Sequence, residues 1–158
     1  MENLSIRRAT ESDLISINKL LYEVQKVHSD VRPDLFKSGA KKYNDDELRA
    51  IMADDSKPIF VAEKSGNISG YIFCVHQQHI NNNSLTDIKT LYIDDLGVDE
   101  NSRNEHIGSL LYNYVLDYAR KNGYYNVTLN VWADNINAVK FYEKLGLKIQ
   151  KIGMEKIL

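Results

Sequence analysis

The residues best suited to chemistry lie in one stretch, residues 91–111, where a strand-like run leads through a polar loop into an amphipathic segment. The run at 91–98 is rich in β-prone side chains, and seven consecutive polar residues follow at 99–105. The next apolar residues recur with the spacing of a helix that buries one face: Ile107, Leu110, Leu111, Tyr114, Val115 and Tyr118. Unpaired N–H groups in the first turn of a helix, together with the helix dipole, attract phosphate. The stretch therefore predicts a site for a phosphorylated cofactor.

Two adjacent carboxylates, Asp94 and Asp95, interrupt the apolar residues of the predicted strand. A carboxylate can act as a general base and remove a proton from a nucleophile, either directly or through a water molecule. Adjacent side chains of a strand face opposite sides of a sheet, so at most one of the two faces a cleft unless a β-bulge turns both. The pattern leaves open which of the two could serve.

Capping residues mark the starts and ends of the other helices. Thr10 and Asp13 match a capping box that starts a first helix, and Asn44 with Glu47 matches one that starts a second. Gly123 suits the left-handed conformation that follows many helices.

Caps, turns and periodicity together predict the order of the elements. In chain order, we predict a strand at 4–9, a helix ending near 27, a short helix at 44–52, a hairpin of strands at 58–63 and 68–79, a strand at 87–98, a helix at 107–122, a strand at 125–131, a helix at 135–145, and one long strand or a very tight hairpin at 147–158.

This order of elements indicates an α/β (α+β) fold in a single domain, residues 1–158. The hairpin-rich first half predicts antiparallel strands, whereas the strand–helix–strand unit at 87–131 requires a parallel, right-handed crossover. We therefore expect a mixed, mostly antiparallel sheet of six to seven strands, with a parallel central pair and helices on both faces. A ligand crevice is expected where the parallel pair diverges.

The composition limits the class of protein. With 158 residues, 43% of them hydrophobic and 27% charged, the chain has the balance of a globular domain. A net charge of −2 argues against a general nucleic-acid-binding protein. No apolar run approaches the ~20 residues that span a bilayer, and we recognise no signal peptide. The single cysteine, Cys74, cannot form an internal disulfide and is expected in the core, so the cytoplasm is the expected compartment.

Two motifs give the whole chain a resemblance to the GCN5-related N-acetyltransferase (GNAT) family. The family's cofactor motif is Arg or Gln, two residues, Gly, one residue, and Gly or Ala; Arg103 and Gly108 match it, and His106 replaces the first glycine. A second motif combines Asn135 and Ala138 with the sequence FYEKLG at residues 141–146. The resemblance implies a GNAT-like fold and a single N-acetyltransferase domain. The implied reaction moves the acetyl group of acetyl-CoA to a primary amine by direct attack in a ternary complex.

The resemblance also implies where acetyl-CoA binds. Backbone groups near Leu96 and Val98 would pair with the pantetheine arm as if it were an added strand. The implied cofactor-binding residues are Leu96, Gly97, Val98, Arg103, Asn104, Glu105, His106, Ile107, Gly108, Ser109, Asn135, Ala138 and Tyr142. Some have a structural alternative: Leu96 and Val98 as core residues, Arg103 as a solvated cation, Ser109 and Asn135 as helix caps.

The catalytic residues are implied in the same way. In the family, the tyrosine that matches Tyr142 protonates the departing thiolate, although the place of Tyr142 on an apolar helix face also suits a core residue. Asp94 matches the position at which the family often carries a glutamate, so it is slightly favoured over Asp95 as the base. A backbone N–H near Leu96 is expected to stabilise the oxyanion. No metal is expected, because the histidines lack a convincing ligand spacing.

One residue departs from the cofactor motif. If the family's glycine at the position of His106 uses a positive φ, or lets a phosphate lie against the bare Cα, a histidine makes that arrangement costlier. The expected donor is the backbone N–H, which His106 retains, so we expect the pyrophosphate site to survive. The imidazole either adds a contact or is simply solvated.

The acceptor cleft of the family is built from the first two helices and their connection, here about residues 23–46. This segment is rich in carboxylates: Glu23, Asp30, Asp34, Asp45 and Asp46. An acidic cleft favours a cationic amine, such as a polyamine, an aminoglycoside or an exposed protein amine. The alternatives are a protein or peptide N-terminal or lysine acetyltransferase, and a non-catalytic CoA-binding module. Trp132 either lines the acceptor pocket or covers the end of the sheet.

The C-terminal residues 147–158 are short for the two strands with which the family usually ends. A single long strand completed by a partner subunit is therefore an alternative to a tight hairpin. In that case the protein is a homodimer.

Overall fold

The computed structural model describes residues 3–158, which form one mixed sheet with helices on both faces. The strands are β1 (Leu4–Arg8), β2 (Ile59–Lys64), β3 (Asn67–Gln77), β4 (Thr90–Val98) and β5 (Asn126–Leu129). The helices are α1 (Leu14–Val31), α2 (Asp45–Met52), α3 (Ile107–Lys121) and α4 (Ile136–Lys144). Within residues 3–158, no helix has both the length and the hydropathy of a membrane span.

The predicted capping boxes are both present. At the start of α1, the backbone N–H of Thr10 donates to the Asp13 carboxylate at 2.8 Å, and a single 3₁₀ turn leads into the helix. At α2, Asn44 Oδ1 accepts from the N–H of Glu47 at 2.8 Å, and the Glu47 carboxylate accepts from the N–H of Asn44. Helix α1 continues past residue 27 and ends at Val31. The next residue, Arg32, precedes Pro33, and a residue before a proline disfavours the helical conformation.

The sheet has the order β1-β2-β3-β4-β5, antiparallel throughout except for the parallel pair β4–β5. The β2–β3 hairpin turns at Ser65 and Gly66, both with positive φ (50° and 82°), as a two-residue hairpin turn requires. The mixed topology and the helices on both faces confirm the predicted fold class. The number of strands is five rather than six to seven, and the parallel pair lies at one edge of the sheet rather than at its centre.

The prediction of one or two strands at residues 147–158 is wrong for this chain. No residue of that segment lies in a strand, and the segment leads to Arg32 at the end of α1, where Glu155 forms an ion pair of 2.8 Å. A strand needs a partner edge for its hydrogen bonds. The apolar pattern indicated a strand, but among the described residues the segment pairs neither with β5 nor with another strand of the sheet.

Two hydrophobic cores lie on opposite faces of the sheet. One lies beneath α3 and joins residues of β2, β3 and β4 to Leu111 and Val115, which are both fully buried. The other lies beneath α1 and α2 and includes Ile17, Leu21 and Leu48. Burying each of these aliphatic side chains contributes about 1.5–3 kcal/mol, so the two cores hold β4 rigidly from both sides.

Candidate active site

The end of β4 carries both aspartates on one face of the sheet. In the register with β3, Asp95 lies opposite Phe73. The next pair is Ile93 opposite Cys74, so Asp94 is an extra residue, a β-bulge that reverses the alternation of side chains. The side chains of β4 that pack in the core beneath α3 are Leu91, Ile93, Leu96 and Val98. Asp94 and Asp95 therefore both face the other side of the sheet, towards α1 and α2.

Each aspartate accepts a hydrogen bond from a different tyrosine. The hydroxyl of Tyr43 donates to Asp94 Oδ2, and the hydroxyl of Tyr71 donates to Asp95 Oδ2 at 3.0 Å. Both rings pack against Phe73, with centroid distances of 5.7 Å for Tyr43 and 4.9 Å for Tyr71. The two tyrosines, which pack in the core beneath α1 and α2, thus hold the carboxylates in position.

Asp95 is the more strongly perturbed carboxyl group. Its burial disfavours the ionised form and raises the pKa to about 6. The charge of Lys42 and the hydrogen bond from Tyr71 oppose this rise, while the neighbouring charge of Asp94 adds to it. A carboxyl group with a pKa near neutrality can both accept and return a proton, which suits a general base.

Lys42 places a cation directly on Asp94. Its Nζ lies 3.1 Å from Asp94 Oδ1 and donates to the Asp94 carbonyl oxygen at 3.1 Å. The same ammonium lies 5.6 Å from the ring centroid of Tyr43. It also lowers the pKa of His28, after burial, which is the larger cause. Lys42 thus lies beside Asp94 and Tyr43 at the end of β4.

Tyr142 on α4 lies near Asp95. Burial, and then the negative charge of Asp95, raise its pKa to about 12, so the phenol is protonated at neutral pH. Its ring packs edge-on against Phe141 at 5.1 Å. Among residues 3–158 no side chain or backbone group bonds to its hydroxyl, which leaves that hydroxyl available for a ligand. The structure therefore brings the Tyr142 phenol near the Asp95 carboxyl group.

The parallel strands diverge beside these groups. The ladder between β4 and β5 ends at the pair Ile93–Leu129, whereas β4 continues to Val98. In the described part of the chain, residues 95–98 pair only with β3, so their other edge is free. A Cβ at Gly97 would lie 2.9 Å from a ring carbon of Tyr71, so the close packing there requires glycine. The free edge can receive an extended ligand arm as an added strand.

The loop between β4 and α3 has two residues in the left-handed region, Asn104 with φ 72° and His106 with φ 61°. His106 is the N-cap of α3, and its side chain makes no capping hydrogen bond. The position that matches the family's glycine thus does use a positive φ. Arg103 is exposed, and Glu105 forms an ion pair of 2.8 Å with Lys64.

The first turn of α3 packs closely against α4. Ile107 and Gly108 are buried, and Ser109 is half-buried. A Cβ at Gly108 would lie 3.1 Å from the ring of Phe141, so a larger residue would push the two helices apart. The first three N–H groups of a helix have no acceptor within it, and this first turn carries no acidic side chain. The arrangement can bind a phosphate group.

Asn135 is the N-cap of α4. Its Oδ1 accepts from the backbone N–H of Ala138 at 3.3 Å, and both residues are half-buried. The capping interpretation of Asn135 is therefore present in the structure, and the side-chain NH₂ remains a donor for a ligand.

An aromatic group links the connection between α1 and α2 to the segment after β5. Phe36 stacks on His28 with a centroid distance of 4.8 Å and meets the edge of Trp132 at 5.4 Å. Trp132 is 42% exposed, so it covers this junction only in part. These rings lie near Lys42, whose charge acts on His28.

Most of the acidic residues predicted for the acceptor cleft are paired with neighbouring cations. The ion pairs are Asp30–Lys26 at 2.7 Å, Asp34–Arg32 at 2.8 Å, Asp45–Lys41 at 2.6 Å and Asp46–Arg49 at 3.4 Å. Glu23 is paired through one oxygen only: its Oε1 lies 3.8 Å from Lys19 Nζ, whereas its buried Oε2 has no hydrogen-bond partner among the described residues. Burial, and then the charge of Asp99, raise its pKa. Fewer carboxylates of this segment are therefore free to bind a cationic acceptor than the sequence suggests.

Three residues of this site were not expected from the sequence: Lys42, Tyr43 and Tyr71. Tyr71 lies in a β-prone run, where an apolar pattern predicts only core packing. Lys42 and Tyr43 lie in a segment without periodicity, so no sequence signal placed them at β4. Among residues 3–158, no group of three or more His, Cys, Asp or Glu side chains could hold a metal ion.

Comparison with known proteins places this arrangement in a family. The model of the acetyltransferase (GNAT) family matches residues 23–147. An uncharacterized N-acetyltransferase of Methanocaldococcus jannaschii is 26% identical over 152 residues, which cover 96% of this chain and 64% of that protein. The chain thus spans somewhat less than two thirds of that relative.

Solved structures share the fold of this chain. The crystal structure of a mutant of the BH1408 protein from Bacillus halodurans is 29% identical, with a TM-score of 0.92 over 98% of this chain and 99% of that one. An aminoglycoside N-acetyltransferase in complex with CoA shares the fold at 15% identity, with a TM-score of 0.73 over 100% of this chain and 96% of that one. The fold, both sequence motifs and the match over residues 23–147 lead to one conclusion: the chain belongs to the GNAT family of acetyltransferases.

Proposed function

We propose that the protein is an N-acetyltransferase that moves the acetyl group of acetyl-CoA to a primary amine by direct attack within a ternary complex. The observation that carries the proposal is that Asp95 lies near enough to Tyr142 for its negative charge, together with burial, to raise the pKa of the phenol, close to the point where the β4–β5 ladder ends. A base and an acid on opposite sides of one cleft are what an acyl transfer to an amine needs.

The base in this proposal is Asp95, acting directly or through water. An alkyl ammonium must lose a proton before its nitrogen can attack, and a carboxylate whose pKa is about 6 is ionised at neutral pH yet basic enough to help. Asp94, which the sequence slightly favoured, is held by Tyr43 and Lys42. Its proposed role is therefore to hold Lys42 and to supply charge near the acceptor nitrogen.

Tyr142 is the proposed acid. Its hydroxyl is protonated at neutral pH, and burial keeps water from competing for the proton. The proton of Tyr142 would pass to the departing sulfur as the C–S bond breaks, and the second proton that the nitrogen loses as the amide forms would return to the Tyr142 oxygen. Asp95 would hold the proton taken from the amine and release it to solvent with the product.

Acetyl-CoA would supply the acetyl group as an activated thioester. The free edge of β4 at Leu96, Gly97 and Val98 is proposed to pair with the pantetheine arm. The loop at residues 103–106 and the first turn of α3, with Ile107, Gly108 and Ser109, are proposed to bind the pyrophosphate through backbone N–H groups. The CoA complex of the related aminoglycoside N-acetyltransferase supports this assignment.

A small cationic amine, such as a polyamine or aminoglycoside, is the proposed acceptor. Support comes from the carboxyl groups of Asp94 and Asp95, which share one face of the sheet, and from the aminoglycoside N-acetyltransferase among the structural neighbours. Lys42 limits the cleft to acceptors whose own cation can displace its ammonium from Asp94. A long cationic amine gains more than a neutral one from such an exchange.

A thiol-release assay over a panel of amines tests this function. We expect turnover with acetyl-CoA on at least one polyamine or aminoglycoside, and weak or no turnover on neutral amines. Calorimetric titration with CoA gives the affinity independently of turnover. Binding of CoA without turnover on any amine, peptide amines included, would assign the chain to non-catalytic CoA binding instead.

A further inference from the structure

A primary amine of the chain itself lies at the pair of carboxyl groups on β4. Lys42 Nζ is 3.1 Å from Asp94 Oδ1 and donates to the Asp94 carbonyl oxygen at 3.1 Å. The charge of Lys42 also acts on Asp95, and the charge of Asp95 acts on Tyr142. The amine therefore lies close to the two groups that the proposed function uses as base and acid.

The neighbours of Lys42 in the chain hold it in this place. Tyr43 follows directly, and its hydroxyl donates to the same Asp94 carboxylate. Lys41 precedes directly, and its Nζ donates to Asp45 Oδ1 at 2.6 Å. Two adjacent lysines are thus directed to different partners, and Lys42 is the one whose amine lies on β4.

The contact between Lys42 and Asp94 is open enough to exchange. The side chain of Lys42 is 42% exposed and that of Asp94 is 17% exposed. Ion pairs with this much exposure are weak, and a lysine ammonium lies at the end of a flexible four-carbon stem. The nitrogen can therefore leave Asp94 and move within the reach of that stem without unfolding the site.

Lys42 has the chemistry of the acceptor that the site is proposed to take. Its side chain ends in an alkyl ammonium, the same group that a polyamine or an aminoglycoside would bring to Asp94 and Asp95. An amine that is already held beside the reacting groups needs no association step, so its effective concentration is far higher than that of an amine in solution.

We propose that Lys42 is a modification site, acetylated by the active site of its own chain. The inference rests on the proposed function, because the same base and acid carry the step. Asp95 takes one proton from the ammonium, directly or through water, and the nitrogen attacks the thioester carbon. The C–N bond forms and the C–S bond breaks, the sulfur takes the proton of Tyr142, and the second nitrogen proton returns to the Tyr142 oxygen. The products are an N-acetyllysine, the free thiol of CoA and one proton.

Acetylation of Lys42 would change how the site receives an external amine. An acetylated lysine has no positive charge, so the ion pair with Asp94 is lost. Asp94 would then be free to pair with the ammonium of an incoming acceptor. We expect the KM for a cationic amine to fall by roughly threefold, which corresponds to the loss of one partly exposed ion pair.

Incubation of the 158-residue chain with acetyl-CoA, without any added amine, tests the proposal. We expect release of one thiol per chain, after subtraction of the release from acetyl-CoA alone, and peptide mass spectrometry should find the acetyl group on Lys42. Modification of Lys42 should be at least tenfold faster than that of Lys41. The rate per chain should not change on dilution, because the reaction occurs within one molecule.

Three variants separate this reaction from chemical acetylation of exposed lysines. Lys42→Arg keeps a cation for Asp94 but provides no acceptor amine, so the stoichiometric release of thiol should disappear. Lys41→Arg is the matched control at the adjacent position and should keep it. Tyr142→Phe should slow the modification of Lys42 by about tenfold or more and leave the other lysines unchanged.

A second readout compares the acetylated chain with the unmodified chain in initial-rate measurements on a cationic amine. The KM should be lower after preincubation with acetyl-CoA, whereas preincubation of Lys42→Arg should leave it unchanged. A KM that does not fall in the acetylated chain would overturn the inferred effect on Asp94.

Other outcomes would overturn the modification itself. These are an even distribution of acetyl groups over the lysines, a rate per chain that rises with chain concentration, and modification of Lys42 that is unaffected by Tyr142→Phe. An unmodified Lys42 in a chain that acetylates an added amine would overturn this inference and leave the proposed function intact. The absence of both reactions would overturn the two together.

Discussion

Asp94 and Asp95 are consecutive residues of β4, yet their side chains lie on the same face of the sheet. The bulge at Asp94, which has no partner on β3, produces this relationship. The two carboxylates nevertheless have different surroundings. Asp94 is 17% exposed and lies against the Lys42 ammonium, whereas Asp95 is buried enough for its pKa to rise to about 6. The two neighbouring carboxyl groups therefore lie in different electrostatic surroundings.

Asp95→Asn is expected to abolish turnover and to stabilise the fold. The pKa of Asp95 rises from 3.8 to about 6 on folding, so as the pH rises between these values the unfolded chain loses the proton and the folded chain keeps it. Stability therefore falls over this interval, and the full cost is present above about pH 6. Removing the charge should raise the free energy of unfolding at pH 8 by about 1–3 kcal/mol. Urea denaturation at pH 4 and pH 8 measures the difference.

Asp94→Asn is the matched control for that variant. It removes the ion pair with Lys42 rather than a buried, unfavourable charge, so the free energy of unfolding at pH 8 is not expected to rise. In the unmodified enzyme, kcat/KM should increase with pH through about 6 as Asp95 ionises. A loss of stability in Asp95→Asn, or an unchanged pH profile in that variant, contradicts the assignment of Asp95 as base.

Lys42→Met is expected to move the acidic limb of the kcat/KM profile to higher pH. The charge of Lys42 lowers the pKa of Asp95, so its removal lets that pKa rise. The KM for a cationic amine should fall, because no internal ammonium then competes at Asp94. Lys41→Met is the control, since Lys41 contacts Asn18 and Asp45 instead. Identical profiles for the two variants would show that Lys42 does not act on Asp95.

Tyr142→Phe is expected to lower kcat by roughly 10²-fold or more, as loss of a general acid does, with CoA affinity nearly unchanged. The hydroxyl makes no hydrogen bond within residues 3–158, so its removal leaves no protein group unpaired. Tyr125→Phe, at a 73% exposed position, serves as the control. If Tyr142→Phe lowers the rate, the CoA affinity and the thermal stability equally, Tyr142 contributes packing rather than acid catalysis.

His106→Gly is expected to stabilise the protein slightly, by about 0.5–1 kcal/mol. A non-glycine residue in the left-handed region costs about 1–2 kcal/mol, and the greater backbone entropy of glycine in the unfolded chain offsets part of the gain. His106→Val should destabilise by more than about 1 kcal/mol, because β-branched residues tolerate this φ of 61° poorly. If His106→Gly weakens CoA binding while stabilising the fold, the imidazole itself contacts the cofactor.

The sequence alone predicted most of the local structure, because helix caps, turns and apolar periodicity act within a few residues. The capping boxes at Thr10 and Asn44, the turn at Gly66 and the helix stop at Gly123 all lie where their residue types predict. Both cofactor motifs could be read in the same way, since they combine a turn with a helix start. The mixed sheet with a parallel pair followed from the order of the elements.

Tertiary structure decided the parts that depend on partners distant in the chain. The bulge at Asp94 arises from the register with β3, which no local pattern encodes, and only this register places Asp95 on the face of Asp94. Lys42 reaches β4 because an aperiodic loop folds across the sheet, more than fifty positions from its partner in sequence. The absence of a strand at residues 147–158 has the same cause, because a strand forms only where a partner edge is available.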